Sequence, residues 1–146
     1  MHGTHGELPP QTPAAGKSSG ERPDGTGAPV QWPLKLMRIS PLAPFFHRAD
    51  LLVAADCTAF SYESFREAFG AGKTLVIGCP DAYGERFLDK LTEIITLNDI
   101  MSVTLVRMDA ECCKRMRGTA MAAIRASGKD IPLNIVTLFG EGEIVD

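Results

Sequence analysis

Two kinds of apolar run alternate along this chain. Residues 51–55 (Leu-Leu-Val-Ala-Ala) and 74–78 (Thr-Leu-Val-Ile-Gly) are nearly continuous apolar stretches, the pattern of strands buried on both faces. Residues 102–106 and 133–138 are rich in Val, Ile, Leu and Thr and predict two further strands. Residues 34–39 alternate apolar with basic side chains over part of their length and predict a strand with one wetter face. Between these runs the period changes to that of a helix. Over residues 81–97, Phe87, Leu91, Ile94 and Ile95 form one stripe, while Glu85, Asp89, Lys90 and Glu93 lie opposite. Residues 61–69 predict a helix capped by Ser61, with Phe65, Ala68 and Phe69 inward and Gly70 and Gly72 ending it. Residues 113–127 predict another, with Met116, Ala120, Met121 and Ile124 inward and Gly128 as its stop. A short turn or helix is expected at 41–49, and a turn at Gly140-Glu141-Gly142 leads into a short antiparallel edge at 143–145.

Strand–helix–strand order with short connections implies a mainly parallel sheet covered by helices on both faces. The expected class is α/β: a Rossmann-like three-layer sandwich with a mainly parallel sheet of about five strands. This single α/β domain occupies residues 31–146. Residues 1–30 contain mostly Gly, Pro, Ser and Thr, with no aromatic side chain, and are expected to form a flexible tail. His2 and His5, each followed by glycine, belong to that tail.

Charge and composition narrow the function classes. The formal net charge is −3 with both signs mixed, so nothing favours nucleic acid or an anionic membrane. The apolar runs fall far short of the roughly 20 residues of a membrane span. No basic start followed by an apolar core marks a secretory leader, so a cytoplasmic location is expected.

The candidate chemistry lies in four cysteines. Cys57 follows the run 51–55, Cys79 follows 74–78, and Cys112 and Cys113 follow 102–106. In a doubly wound sheet all four fall at the carboxyl ends of strands, where ligands bind. In a reducing compartment, clustered thiols point to metal or redox chemistry rather than to disulfides. Four thiolates are the usual complement of an iron–sulfur cluster or a zinc ion. A helix starting near Cys113, with Arg107, Lys114, Arg115 and Arg117 nearby, would favour thiolate over thiol; Asp56, Asp109 and Glu111 oppose this. The competing reading is a set of small buried fillers, most natural for Cys57 and Cys79. No Cys-x-x-Cys occurs, so neither a ferredoxin run nor a thioredoxin motif is present.

Other features carry less. Gly70-Ala-Gly-Lys-Thr74 looks like the end of a phosphate-binding loop, but it follows a helix and enters a strand, the reverse of the required context. His47 stands beside two phenylalanines, as structural histidines do; pairing it with Cys113 as imidazole and thiol is the alternative.

Several segments carry a family resemblance: Gln-Trp-Pro-Leu-Lys-Leu from Gln31, the stretch from Ala43 through Phe45-Phe46 to Ala49-Asp-Leu-Leu-Val-Ala-Ala-Asp-Cys57, Gly72-Lys-Thr-Leu-Val-Ile-Gly-Cys-Pro80, the helix segment from Tyr83, the stretch from Asn98 to Met108, Glu111-Cys-Cys113 and Ser127-Gly-Lys-Asp-Ile-Pro-Leu133. Together they resemble the C-terminal domain of a family of bacterial and archaeal 4Fe–4S cluster-binding oxidoreductases. The resemblance covers residue 31 to the end, and that family usually has a ferredoxin module ahead of this domain. It maps the family's recurring cysteines onto Cys57, Cys79, Cys112 and Cys113, and implies an iron–sulfur cofactor and a ferredoxin-type partner. The chain departs from the family in lacking the ferredoxin module and in placing Lys114-Arg115-Met116 where small apolar residues are usual. It would then be a truncated piece or a lone domain.

The leading expectation is thus an iron–sulfur domain, ligated by Cys57, Cys79, Cys112 and Cys113, in electron transfer or redox sensing with a ferredoxin-type partner. Zinc is the alternative metal. The rival functions are a metal-free thiol redox protein and a non-catalytic docking domain. No acid–base pair marks a reaction.

Overall fold

The computed structural model describes residues 31–140 and 144–145. The expected tail at residues 1–30 lies outside the described residues, as do Glu141 and Gly142 of the expected turn.

A five-stranded sheet organises the domain: β1 (Asp50–Ala55), β2 (Thr74–Gly78), β3 (Ser102–Met108), β4 (Leu133–Leu138) and β5 (Ile144–Val145). Their order across the sheet is β2-β1-β3-β4-β5; the first four are parallel, and β5 pairs antiparallel with β4. The family of registers is continuous, with Leu51 beside Thr74 on one side and Val103 on the other. β1 lies inside the sheet between β2 and β3, which accounts for its unbroken apolar run: Leu51 to Ala55 are all buried.

The two faces are covered unequally. On one, α4 (Glu85–Leu97) and α5 (Met116–Ser127) pack through Phe87, Leu91, Ile94, Ile95, Met116, Ala120 and Ala123 onto Leu51, Val53, Val103 and Leu105. On the other, Leu52, Ala54, Leu75, Val106 and Leu138 are covered by Phe65 of the short helix α2 (Phe65–Phe69), with Tyr62, Phe69 and Leu34 at its margin. The expected Rossmann-like α/β sandwich is therefore present, with one thick layer and one thin one.

Local differences from the sequence expectation have local causes. Residues 34–39 do not form a strand. Only Lys35 bridges to Ile77, and Leu36–Arg38 turns into a 3-10 helix that buries Leu36. The expected helix at 61–69 is two helices, α1 (Thr58–Ser61) and α2, separated by Ser64 in the left-handed region at φ 61°. Ser61 ends α1 rather than capping a helix; its hydroxyl donates to the Cys57 carbonyl at 3.0 Å. The helix at 81–97 is likewise broken. Gly84, at φ 56°, separates α3 (Pro80–Tyr83) from α4, a backbone geometry that glycine adopts without a Cβ penalty. Met121, expected inward, is 40% exposed.

Sheet edges are treated differently. The outer edge of β2 is closed by the Gln31 side chain, whose amide donates to the Leu75 carbonyl and accepts from the Leu75 N–H. The Ile77 N–H donates to the Leu34 carbonyl at 2.9 Å.

Candidate functional site

The connections leaving β1, β2 and β3 converge at the carboxyl edge of the sheet. The chain leaves β1 toward α1 and α2 on one face, and leaves β2 and β3 toward α4 and α5 on the other. Such a divergence, here around β1, is where open α/β sheets form a ligand crevice.

A cleft of about 650 Å³ lies on the α4/α5 side of this edge, between the connections that follow β2 and β3, within the range usual for small-molecule sites. One wall comes from the segment after β2: Pro80, Asp81, Gly84, Glu85 and Leu88. The other comes from the segment after β3: Glu111, Cys112, Arg115 and Thr119. The Gly84 break shapes the first wall. By ending α3 after one turn, it lets both α3 and the first turn of α4 face the opening. In the second wall, a 3-10 turn at Glu111–Cys113 precedes α5, so the cysteine pair sits ahead of the helix rather than at its first turn.

The four cysteines are divided by this geometry. Cys112 is exposed and lines the cleft, whereas Cys113 is buried beneath it in the main core. Burial pushes the Cys113 thiol above its ordinary pKa. The adjacent Cys112 thiol, in hydrogen-bond contact, and the nearby Cys79 push the same way, while the Met108 N–H donating to the sulfur works against them. The sequence expectation that helix and arginines would turn these thiols into thiolates is reversed for Cys113. Cys79 is half-buried at the end of β2. Cys57 is exposed at the start of α1, toward the thinly covered face. Cys112 and Cys79 thus lie near the Cys113 thiol. All four are free, and among the described residues no group of three or more His, Cys, Asp or Glu side chains is arranged to hold a metal ion.

Charge in the cleft is mixed. Asp81, Glu85 and Glu111 face one guanidinium, that of Arg115. Glu111 is engaged by Lys114 at 2.6 Å, an exposed pair three residues apart, which raises the lysine pKa. Among the described residues Asp81, Glu85 and Arg115 have no salt-bridge partner. Apart from Cys112, Glu111 and Arg115, these cleft residues were not singled out as site residues by sequence reasoning. The available signal was positional: Asp81, Glu85 and Thr119 lie in the first turns that follow strand ends. His47 is far from this edge in role. It is exposed and meets Asp99 at 3.3 Å, and the Arg48 N–H donates to the same carboxylate at 2.7 Å.

Residues 43–146 match the family described as Rossmann-like domain, and the chain belongs to that family. It is also similar to an uncharacterized protein of Archaeoglobus fulgidus, at 27% identity over 99 residues, covering 68% of this chain and 70% of that protein. No solved structure matches the chain significantly. These findings correct the family resemblance inferred from the sequence: the matching family is a Rossmann-like domain, and no iron–sulfur oxidoreductase family is indicated. They also correct the expected function. The domain match carries no electron-transfer role or ferredoxin-type partner, and the described side chains form no metal-holding group. No helix among the described residues is long and apolar enough to cross a membrane.

Proposed function

We propose that this domain binds a small amine-bearing polar molecule, zwitterionic or cationic, in the cleft at the carboxyl edge of its sheet. The observation that carries the reading is the charge arrangement. Asp81 and Glu85 on one wall and Glu111 on the other face a common opening, with Arg115 as its one basic lining residue. An ammonium group between the acidic walls would gain charge-assisted hydrogen bonds, and Arg115 would hold a carboxylate at the far end of a zwitterion. Leu88 and Pro80 supply apolar surface for the carbon skeleton. Position supports the reading, since ligands of open α/β sheets bind outside the carboxyl ends of the strands.

Amide NMR of the full chain, titrated with a panel of amino acids, simple amines and dicarboxylates, tests it. Amines and amino acids are expected to shift the amides of Asp81, Glu85, Glu111, Arg115 and Thr119. Glu85→Lys should weaken these compounds, and Arg115→Glu should weaken the zwitterions more than the simple amines. Binding of dicarboxylates alone, or no shift in the cleft, would overturn the proposal.

A further inference from the structure

At the β4 end of the sheet, on the face that α5 covers, an open strand edge lies beside an apolar groove. β5 pairs with β4 only at Thr137 and Leu138. Among the described residues, no strand pairs with the outer edge of residues 133–136. The Pro132 and Leu138 carbonyls accept from Val103 and Asp109 of the β3 side. The alternation of a ladder therefore turns the N–H and C=O groups of Leu133 and Ile135 outward. The contrast with β2 is direct: there the Gln31 side chain and Leu34 satisfy the outer edge. Unprotected edges are templates for pairing with another chain.

The side chains of the same two residues, Leu133 and Ile135, line a groove of about 410 Å³ against α5, together with Met121, Ile124 and Ile131. Arg117 and Arg125 flank it, and no acidic residue contributes to its lining. Neither arginine is in a salt bridge among the described residues. Arg117, Met121 and Arg125 recur every four positions, which puts them on one stripe of α5. Eight residues of helix separate the two arginines by about 12 Å. An extended chain advances about 3.3 Å per residue, so it covers that span in about four residues.

We infer that this face accepts an extended peptide of a partner protein by strand addition to β4. On its groove-facing side the segment carries an acidic residue, an apolar residue two positions on, and a second acidic residue two positions further. The backbone of the incoming strand pairs with Leu133 and Ile135, its apolar side chain enters the groove, and its carboxylates reach Arg117 and Arg125. Strand addition of this kind takes its affinity from main-chain hydrogen bonds and its specificity from alternate side chains. The chain's own first thirty residues do not carry this pattern, since none of their acidic residues, Glu7, Glu21 and Asp24, has a second one four positions on.

The test uses the full chain and a short blocked peptide with Glu, Ile and Glu at alternate positions and Thr between them. Three controls accompany it: the same peptide with Lys for Glu, the peptide N-methylated on the amides that face β4, and hydrogen exchange of the free protein at several concentrations. The Glu peptide is expected to shift the amides of Met121, Ile124, Leu133 and Ile135. Its affinity should fall about tenfold or more in Arg117→Glu/Arg125→Glu, whose exposed positions leave the melting temperature unchanged. N-methylation should abolish binding. Equal binding of the Lys or N-methylated peptide would overturn the inference. So would β4 edge amides already protected in the free protein: concentration-independent protection would mean the chain covers its own edge, and protection rising with concentration would mean a second copy does.

Discussion

Replacing Gly78 by alanine isolates the contact on which the cleft wall rests. Gly78 ends β2, immediately before Cys79 and the turn that forms that wall. A Cβ at this position would stand 2.7 Å from Phe87 Cε2 and 3.4 Å from its Cδ2. Carbon pairs are most favourable near 3.5–4.0 Å, so the ring must retreat by about 1 Å. It has little room to do so, because Phe87 is 1% exposed and packed in the main core. Forced overpacking of this kind costs about 1–3 kcal/mol. Removing a glycine from the unfolded chain opposes it by about 0.4–1 kcal/mol. The overpacking wins, leaving a net loss of roughly 1–2 kcal/mol. At about 4 °C per kcal/mol for a domain of this size, Tm should fall by roughly 4–8 °C. Urea unfolding followed by far-UV circular dichroism measures the loss. A double-mutant cycle with Phe87→Leu identifies its cause. The smaller side chain should make room for the methyl group, so the double variant should be more stable than the sum of the singles by about 1 kcal/mol. A Gly78→Ala protein within about 0.5 kcal/mol of the parent, or an additive cycle, would refute the steric argument.

Other expectations follow from single groups. Cys112 should alkylate with iodoacetamide well before Cys113 at neutral pH, as followed by mass spectrometry of digested protein, because Cys113 is buried and its thiol is held protonated. The raised Cys113 pKa means that its contribution is complete below the unfolded thiol value of about 8.5 and is lost as pH rises through the higher folded value. Cys113→Ala should therefore flatten the alkaline decline in urea stability even where it lowers stability overall. At the acid end the sign reverses. The Arg48 N–H, then the N–H of Asp99 itself, and then the His47 and Arg48 charges hold the Asp99 carboxyl below its ordinary pKa, so its contribution is present above that value and fades as pH falls; Asp99→Asn should show a shallower acid limb. Lys129 donates to the carbonyls of Ile95, Thr96 and Asn98 at the end of α4, at 2.8, 3.2 and 2.6 Å. Lys129→Met should cost about 1.5–3 kcal/mol by thermal melting, the scale of a hydrogen bond to a charged group.

The fold was legible where burial and period agree. The unbroken run of β1 announced an interior parallel strand, and the stripe of Phe87, Leu91, Ile94 and Ile95 announced α4, because both patterns follow from which side chains must leave water. Residues 34–39 misled because alternation also suits a single bridge followed by a tight turn. The breaks at Ser64 and Gly84 were missed because left-handed residues interrupt a helix without altering its apolar spacing. The candidate site was legible only in part. Strand ends predicted that Cys79, Cys112 and Cys113 follow β2 and β3, yet side-chain depth separates Cys112 from Cys113, and no spacing rule reports depth. The carboxylates at Asp81 and Glu85 looked like ordinary solvated helix residues until the Gly84 break turned both toward one opening.

The place of β1 between β2 and β3 also has a consequence for how the chain is made. β1 emerges early in synthesis, yet its two neighbours are β2 and β3, and the contact between Asp50 and Ser102 spans 52 residues. Until Ser102 and the residues after it have left the ribosome, the run Leu51 to Ala55 has at least one bare backbone edge and no finished core to enter. A short, uncharged, β-prone stretch in that condition is a nucleus for wrong pairing. Nascent chains stalled between β2 and β3 should therefore be the species that a holdase chaperone captures, and release should coincide with completion of β3.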